Sequence, residues 1–105
     1  MSSHRQQEAA QRKSLEDLRR EIDELDQRLF SLIAQRMAIA AQIGAVKRKE
    51  GLQVSDPVRE ALLKARLKEL ASGVLAPWHV EELASVILRI SRDLQASSSG
   101  DRNSE

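Results

Sequence analysis

The sequence predicts an all-α fold of three helices, the first of them much longer than the other two. Apolar residues recur at helical spacing along three separate segments of the 105-residue chain. Prolines stand where the second and third segments begin, and glycines follow the first and second. No segment alternates apolar and polar residues as a half-buried strand would. A single helical domain is therefore expected.

The first predicted helix runs from about Ser14 to Glu50, and Gly51 supplies its end. Its apolar residues keep a seven-residue repeat in two rows, Leu15, Ile22, Leu29 and Ile43 in one and Leu18, Leu25, Leu32, Ile39 and Val46 in the other. A helix of roughly 35 residues, at about 1.5 Å per residue, is about 50 Å long. One small domain cannot cover that length, so we expect a second chain to bury its far end.

The second predicted helix has Asp56 as its N-cap and Pro57 at its first position. Apolar residues at helical spacing continue from there toward Gly73, which is suited to a C-terminal cap. The third helix opens at Pro77 and carries an apolar face on the same periodicity. We expect it to end near Ala96, where serines and a glycine replace the apolar pattern.

Both ends of the chain are polar. Residues 1–13 and 97–105 hold too few apolar side chains to pack, so we predict a disordered extension and tail around one domain at residues 14–96. The first 13 residues contain no apolar run, so neither a signal peptide nor a membrane anchor is expected. A cytoplasmic, free-standing protein is the expectation.

Composition argues against several classes of function. The chain is 31% charged but carries a net charge of only +1, which offers no field to hold a nucleic acid or an anionic membrane. One Phe, one Trp and no Tyr leave no platform for stacking bases. The absence of Cys excludes disulfides, zinc ribbons and thiol catalysis. Neither histidine has a second ligand at metal-binding spacing, so no metal site is expected.

One residue breaks the apolar pattern of the first helix. Arg36 stands between Leu29 and Ile43, where the repeat predicts an apolar side chain. A guanidinium keeps its charge at any ordinary pH, so a buried position is costly unless an anionic group meets it. Glu60 or Asp56 could supply that group in a structural ion pair, and the carboxylate of a ligand could equally do so. Spacing alone leaves both alternatives open.

Other polar side chains fall in register with Arg36. Lys47 lies eleven residues further on, about three turns, and so projects from the same face. Each later helix carries a polar cluster at helical spacing, namely Asp56, Arg59 and Glu60 on the second and Ser91 and Gln95 on the third. Arg19 is 28 residues from Lys47, roughly 42 Å along a straight helix, so it cannot reach the same pocket within one chain. Taken singly, each could be a cap, a solvated helix end or a surface pair.

Five motifs in order carry a resemblance: Leu18-Arg19-Arg20-Glu21-Ile22-Asp23-Glu24-Leu25-Asp26, Gln35-Arg36, Gly44-Ala45-Val46-Lys47, Asp56-Pro57-Val58-Arg59-Glu60 and Ser91-x-x-x-Gln95. Over roughly residues 15–95 the chain resembles the all-helical chorismate mutases. The resemblance implies an intertwined antiparallel homodimer that isomerises chorismate to prephenate in phenylalanine and tyrosine biosynthesis. It implies no cofactor and no metal.

The resemblance also implies a role for each polar residue. Arg19 of one chain and Arg36 of the other match the residues that bind the two substrate carboxylates, with Ser91 assisting on the ring carboxylate. Since Arg19 is too far from Lys47 along one helix, its donation across the dimer agrees with the reach estimated above. The charged residues Arg89 and Arg92, which flank Ser91, depart from the family pattern.

The remaining matched residues surround the reacting bond. Lys47 and Gln95 match the donors to the ether oxygen, whose negative charge grows as its bond to carbon lengthens. Glu60, with the backbone of Asp56, matches the contact to the ring hydroxyl. Arg59 matches a further site arginine, with Asp56 as its neighbour. The reaction requires no nucleophile or general base, only a fixed substrate conformer and placed donors.

Two other functions compete with this interpretation. An isochorismate pyruvate lyase has the same fold and a similar cationic pocket, although the full polar set favours the mutase. A non-catalytic helical dimer, serving as a regulatory or assembly module, would prefer Leu, Ile or a single Asn at position 36. A regulatory partner enzyme is left open by the sequence.

Overall fold

The computed structural model describes residues 12–103, with side chains as far as residue 97. It contains three helices, α1 (Leu15–Glu50), α2 (Pro57–Leu70) and α3 (Pro77–Asn103). No strand occurs within residues 12–103. The predicted all-α class and the three helices are confirmed. Residues 1–11 of the predicted N-terminal extension lie outside the described part, so their disorder stays a prediction.

Side-chain caps explain where the first two helices begin. Ser14 Oγ accepts a hydrogen bond from the backbone N–H of Asp17 at 3.0 Å, and Asp17 Oδ2 accepts one from the N–H of Ser14 at 3.2 Å. This reciprocal capping box satisfies backbone donors that no helical carbonyl can reach. Asp56 Oδ1 caps α2 by accepting from the N–H of Arg59 at 3.1 Å, with Pro57 at the first helical position.

The end of α1 is a Schellman turn around a left-handed glycine. Gly51 has φ of 72°, a conformation that side chains with a Cβ rarely adopt. The N–H of Leu52 donates to the carbonyl of Lys47 at 2.7 Å, and that of Gly51 donates to the carbonyl of Arg48 at 3.3 Å. The turn ends α1 at Glu50, three residues after Lys47.

The third helix is longer than the sequence indicated. It extends to Asn103, whereas we expected an end near Ala96. The serines beyond Ala96 lower helix propensity without blocking it, and no proline follows to stop propagation. The boundary prediction was therefore wrong, and the disorder proposed for residues 97–105 stays a prediction.

The chain divides into two compact units, residues 1–34 and 35–105, with the boundary inside α1. In the first unit most large apolar side chains are exposed, from 47% for Leu18 to 67% for Phe30. Ile33 is half-buried. Large exposed apolar patches are typical of surfaces that bind another protein. By length and composition α1 could cross a membrane. A helix whose apolar rows pack against another chain meets the same test, so this property does not indicate a membrane.

The second unit contains the core. Its buried apolar residues come from α1 and α3: Met37, Ala40, Val80, Ala84 and Leu88. Helix α2 has no fully buried residue but packs on α3. Glu81 of α3 accepts from Lys64 at 2.6 Å and pairs with Lys68 at 2.9 Å, and these ion pairs join the two helices.

Candidate active site

A cavity of about 170 Å³ opens in the second unit, between the C-terminal part of α1, the segment before α2, and helices α2 and α3. Aliphatic side chains such as Ile39, Val54 and Leu88 form part of its wall. Its polar lining is drawn from all three helices and consists of Arg36, Lys47, Asp56, Arg59, Glu60, Ser91 and Gln95. These are seven of the eight residues that the sequence predicted for the site. They are brought together here, while their catalytic roles stay predictions.

Lys47 is fixed at the junction of α1 and α3. Its Nζ donates to the backbone carbonyl of Val54 at 2.8 Å and to Oε1 of Gln95 at 3.0 Å. An ammonium group carries three N–H donors, so one remains for a ligand. The Schellman turn that follows Lys47 brings Val54 back toward its side chain, so the local fold determines the orientation of this ammonium.

Gln95 and Ser91 form a buried pair on successive turns of α3, at 8% and 5% exposure. The Gln95 amide turns its oxygen toward Lys47, and its Nε2 donates to Ser91 Oγ at 3.5 Å, the long limit of a hydrogen bond. One N–H of the amide therefore remains for a ligand. A cation and an amide that share one hydrogen bond keep both of their remaining donors at the same end of the cavity.

A close helix crossing creates this pairing. Gly44 is buried, and a Cβ placed on it would lie 2.6 Å from Cα of Gln95, 2.8 Å from its carbonyl carbon, and closer still to its carbonyl oxygen. Only glycine lets the two backbones approach so nearly. Arg48 Nη1 also donates to the Gln95 carbonyl at 2.8 Å. Lys47, one turn beyond Gly44, is consequently held against the Gln95 side chain.

Glu60 pairs with an arginine that the sequence analysis had not assigned. Arg92 Nη1 donates to Glu60 Oε1 at 2.6 Å. The ion pair considered between Arg36 and Glu60 or Asp56 does not form, since Glu60 bonds Arg92 and Asp56 caps α2. Within residues 12–97 no ion pair involves Arg36. Its charge is available to an anionic ligand.

Three other arginines that the sequence analysis named lie outside the lining of the cavity. Arg19 lies on the exposed face of the first unit and is not among the residues that line the cavity. Of the two arginines that flank Ser91, Arg89 is exposed and faces Asp93 at 3.9 Å on its own helix, whereas Arg92 contacts a cavity residue. Their positions along α3 do not predict this difference, because the partner of each arginine depends on how α2 packs against α3.

Sequence reasoning assigned no contact to Arg48 or Arg92, which bond to Gln95 and Glu60 respectively. Each of these hydrogen bonds joins two different helices, and spacing along the sequence does not predict such contacts. The lining holds three cations against two carboxylates, so it favours an anionic ligand. The Ser91 hydroxyl in this lining accepts a hydrogen bond from the Gln95 amide and is not bonded to a base within residues 12–97. The chemistry that the cavity supports is therefore the placement of donors and charges.

Comparison with known proteins finds a matching family and several similar sequences. Residues 18–96 match the family described as chorismate mutase type II. The T-protein of Haemophilus influenzae is 38% identical over 77 residues, which cover 72% of this chain and 20% of that protein. The chorismate mutase of Methanocaldococcus jannaschii is 34% identical over 56 residues, 53% of this chain and 57% of that one.

A bifunctional chorismate mutase/prephenate dehydratase of Aquifex aeolicus is 29% identical over 96 residues, covering 84% of this chain and 26% of that protein. The chain thus spans from a fifth to somewhat over half of the length of these relatives.

Proposed function

This chain belongs to the chorismate mutase type II family, and from that membership and the cavity we propose that it converts chorismate to prephenate. The observation that carries the proposal is the bonded pair of Lys47 and Gln95 at one end of a cavity that also holds Arg36. Arg36 forms no ion pair with any side chain of residues 12–97. A donor pair and a separate cation are what a dicarboxylate with a breaking ether bond requires.

The proposed reaction is a pericyclic rearrangement of one molecule. A carbon–oxygen bond of the enol ether breaks while a carbon–carbon bond forms, and the ether oxygen gains negative charge on the way. The free N–H of Lys47 and that of Gln95 would donate to this oxygen, and their bonds would strengthen as the charge develops. Stabilisation of this kind lowers the barrier because it favours the transition state over the bound substrate.

The other lining residues would fix the substrate conformer. Arg36 would bind one carboxylate, and buried Ser91 would assist on the ring carboxylate. Glu60 would accept from the ring hydroxyl beside the backbone of Asp56, with Arg59 adding positive charge at the rim. Holding the reacting carbons close together lowers the barrier, because the free substrate in solution must lose conformational entropy to reach the same conformer.

The working unit is proposed to be an intertwined antiparallel homodimer. Most large apolar side chains of the first unit are exposed in the single chain, which suits burial by a second copy. The cavity, at about 170 Å³, is smaller than the ~300–1,000 Å³ common for ligand sites, as expected if one wall comes from the partner. Arg19 of that partner would bind the second carboxylate.

The direct test is to incubate the purified protein with chorismate, follow its ultraviolet absorbance and separate the products. Prephenate as the product is the expected result. A parallel incubation with isochorismate, analysed for released pyruvate, tests the lyase alternative. Pyruvate release without any prephenate from chorismate would overturn the proposal.

A shared site predicts complementation between two inactive variants. Arg19→Ala and Lys47→Ala homodimers should each be nearly inactive, because every pocket lacks one cation. In a hybrid, the pocket built on the Arg19→Ala chain keeps its own Lys47 and receives an intact Arg19 from the partner.

Unfolding and refolding an equal mixture should give about half hybrids by random pairing, each with one working site, and so roughly a quarter of wild-type activity per chain. The control is the same mixture kept folded. If purified hybrids recover no activity, Arg19 does not serve across the interface.

A further inference from the structure

The ion pair between Arg92 and Glu60 connects a cavity residue to one outside the cavity. Glu60 lines the cavity with its side chain 22% exposed, while Arg92 is not among the lining residues and is 37% exposed. The Nη1 to Oε1 distance of 2.6 Å is short for a charged hydrogen bond. Arg92 therefore meets the carboxylate without occupying ligand space.

This contact occupies one of the two carboxylate oxygens of Glu60. Oε1 accepts from Arg92, and within residues 12–97 no hydrogen bond to Oε2 is found. An ionised carboxylate only accepts hydrogen bonds, so Oε2 can receive one from a ligand hydroxyl. The guanidinium bonded to Oε1 restricts rotation of the carboxylate and leaves Oε2 to a ligand.

The same contact changes the charge that a ligand meets. Glu60 would repel a dianionic substrate, because like charges in a partly desolvated site interact strongly. A guanidinium bonded to Glu60 offsets that repulsion. The carboxylate can then contribute a hydrogen-bond acceptor without opposing the cations of the cavity.

We propose that Arg92 is a positioning residue that orients and neutralises Glu60 for a hydroxyl-bearing dicarboxylate substrate. The inference rests on the proposed function, since it assigns Arg92 a part in the same site. A purely structural role is less favoured because α2 and α3 are already joined by the bonds from Lys64 and Lys68 to Glu81.

The test is a double-mutant cycle on kcat/KM with chorismate, using wild type, Arg92→Gln, Glu60→Gln and the double variant. Arg92→Gln should lower kcat/KM roughly tenfold, within the range of coupling seen for contacting residues. The loss should fall mainly on KM, because repulsion from unpaired Glu60 acts on bound substrate and transition state alike. In the Glu60→Gln background the same change should alter kcat/KM less than about twofold.

Two further variants separate charge from general damage. Arg92→Lys keeps a cation and should recover part of the KM defect. Arg89→Gln is the matched control, since Arg89 stands one turn earlier on α3, is 60% exposed and faces Asp93 at a distance of 3.9 Å. Its kcat/KM should stay within about twofold of wild type.

The outcomes distinguish the inference from the proposed function. An active wild type with additive losses from Arg92→Gln and Glu60→Gln overturns the role of Arg92 alone. So does a loss that Arg89→Gln reproduces, or one that tracks a lowered thermal midpoint. A wild type that does not convert chorismate overturns the proposed function and the inference with it.

Discussion

Replacing Gly44 with alanine tests the helix crossing on which the site depends. In an ordinary helix interior this change stabilises by up to about 1 kcal/mol, since alanine has the higher helix propensity. Here the added Cβ would lie 2.6 Å from Cα of Gln95 and 2.8 Å from its carbonyl carbon, whereas ordinary contact begins near 3.4 Å. The obstacle is backbone, which cannot rotate away, so α1 and α3 must separate by roughly 1 Å.

Two magnitudes follow from that separation. Overpacking of this kind costs about 1–3 kcal/mol, which exceeds the propensity gain, so we expect a net loss of about 1–2 kcal/mol. A loss of 1 kcal/mol lowers Tm by roughly 4–8 °C in a domain of this size. The bond from Lys47 to Gln95, now 3.0 Å, would open by a similar distance, and a misplacement of about 1 Å can reduce catalysis roughly a hundredfold.

Thermal unfolding followed by circular dichroism, with kcat measured well below the transition, checks both effects. Gly73→Ala is the control, because Gly73 has φ of 96° and open space around its added Cβ. It should lose about 1–2 kcal/mol to backbone strain while kcat stays unchanged. A Gly44→Ala protein with a raised Tm, or with wild-type kcat, would refute the close crossing.

Three other changes have distinct expected results. Lys47→Ala removes a donor aimed at developing charge, so steady-state kcat with chorismate should fall about a hundredfold, or about 3 kcal/mol. Gln95→Glu can donate to the ether oxygen only while its carboxyl is protonated, so kcat should be retained at acid pH and lost as that group ionises. The bonds from Lys64 and Lys68 lower the pKa of Glu81 from 4.5 to about 2, so its ionised form stabilises the fold above the unfolded value of 4.5. Glu81→Gln should therefore lower Tm at neutral pH, and its difference from wild type should vanish as pH falls from 4.5 toward 2.

Each of these three predictions would be contradicted by a specific result. An unchanged kcat in Lys47→Ala would remove this residue from the reaction. A flat pH profile for Gln95→Glu would mean that position 95 does not contact the breaking bond. A Glu81→Gln protein as stable as wild type at neutral pH would mean that the bonds to Lys64 and Lys68 do not hold α2 on α3.

Periodicity within each helix was enough to predict much of the candidate site. Lys47 falls on the face of Arg36 because eleven residues make about three turns, and both line the cavity. Asp56 was predicted as a cap from its place before a proline, and it accepts the expected backbone bond. The end of α3 was misjudged because a helix without a breaking residue continues at little cost.

Contacts between helices were beyond the reach of the sequence. The sequence left the partner of Arg36 open. The packing of α2 on α3 pairs Glu60 with Arg92 and not with Arg36. Likewise, the sequence shows Gly44 only as a residue of low helix propensity. Its role in the close approach of α3 is visible only in the packed structure.

The sequence by itself therefore determined which side chains share a helix face, because backbone geometry repeats every 3.6 residues whatever lies nearby. The tertiary structure alone decided which faces meet. Helix packing depends on the shape and charge of many side chains at once, and no spacing along one chain encodes it.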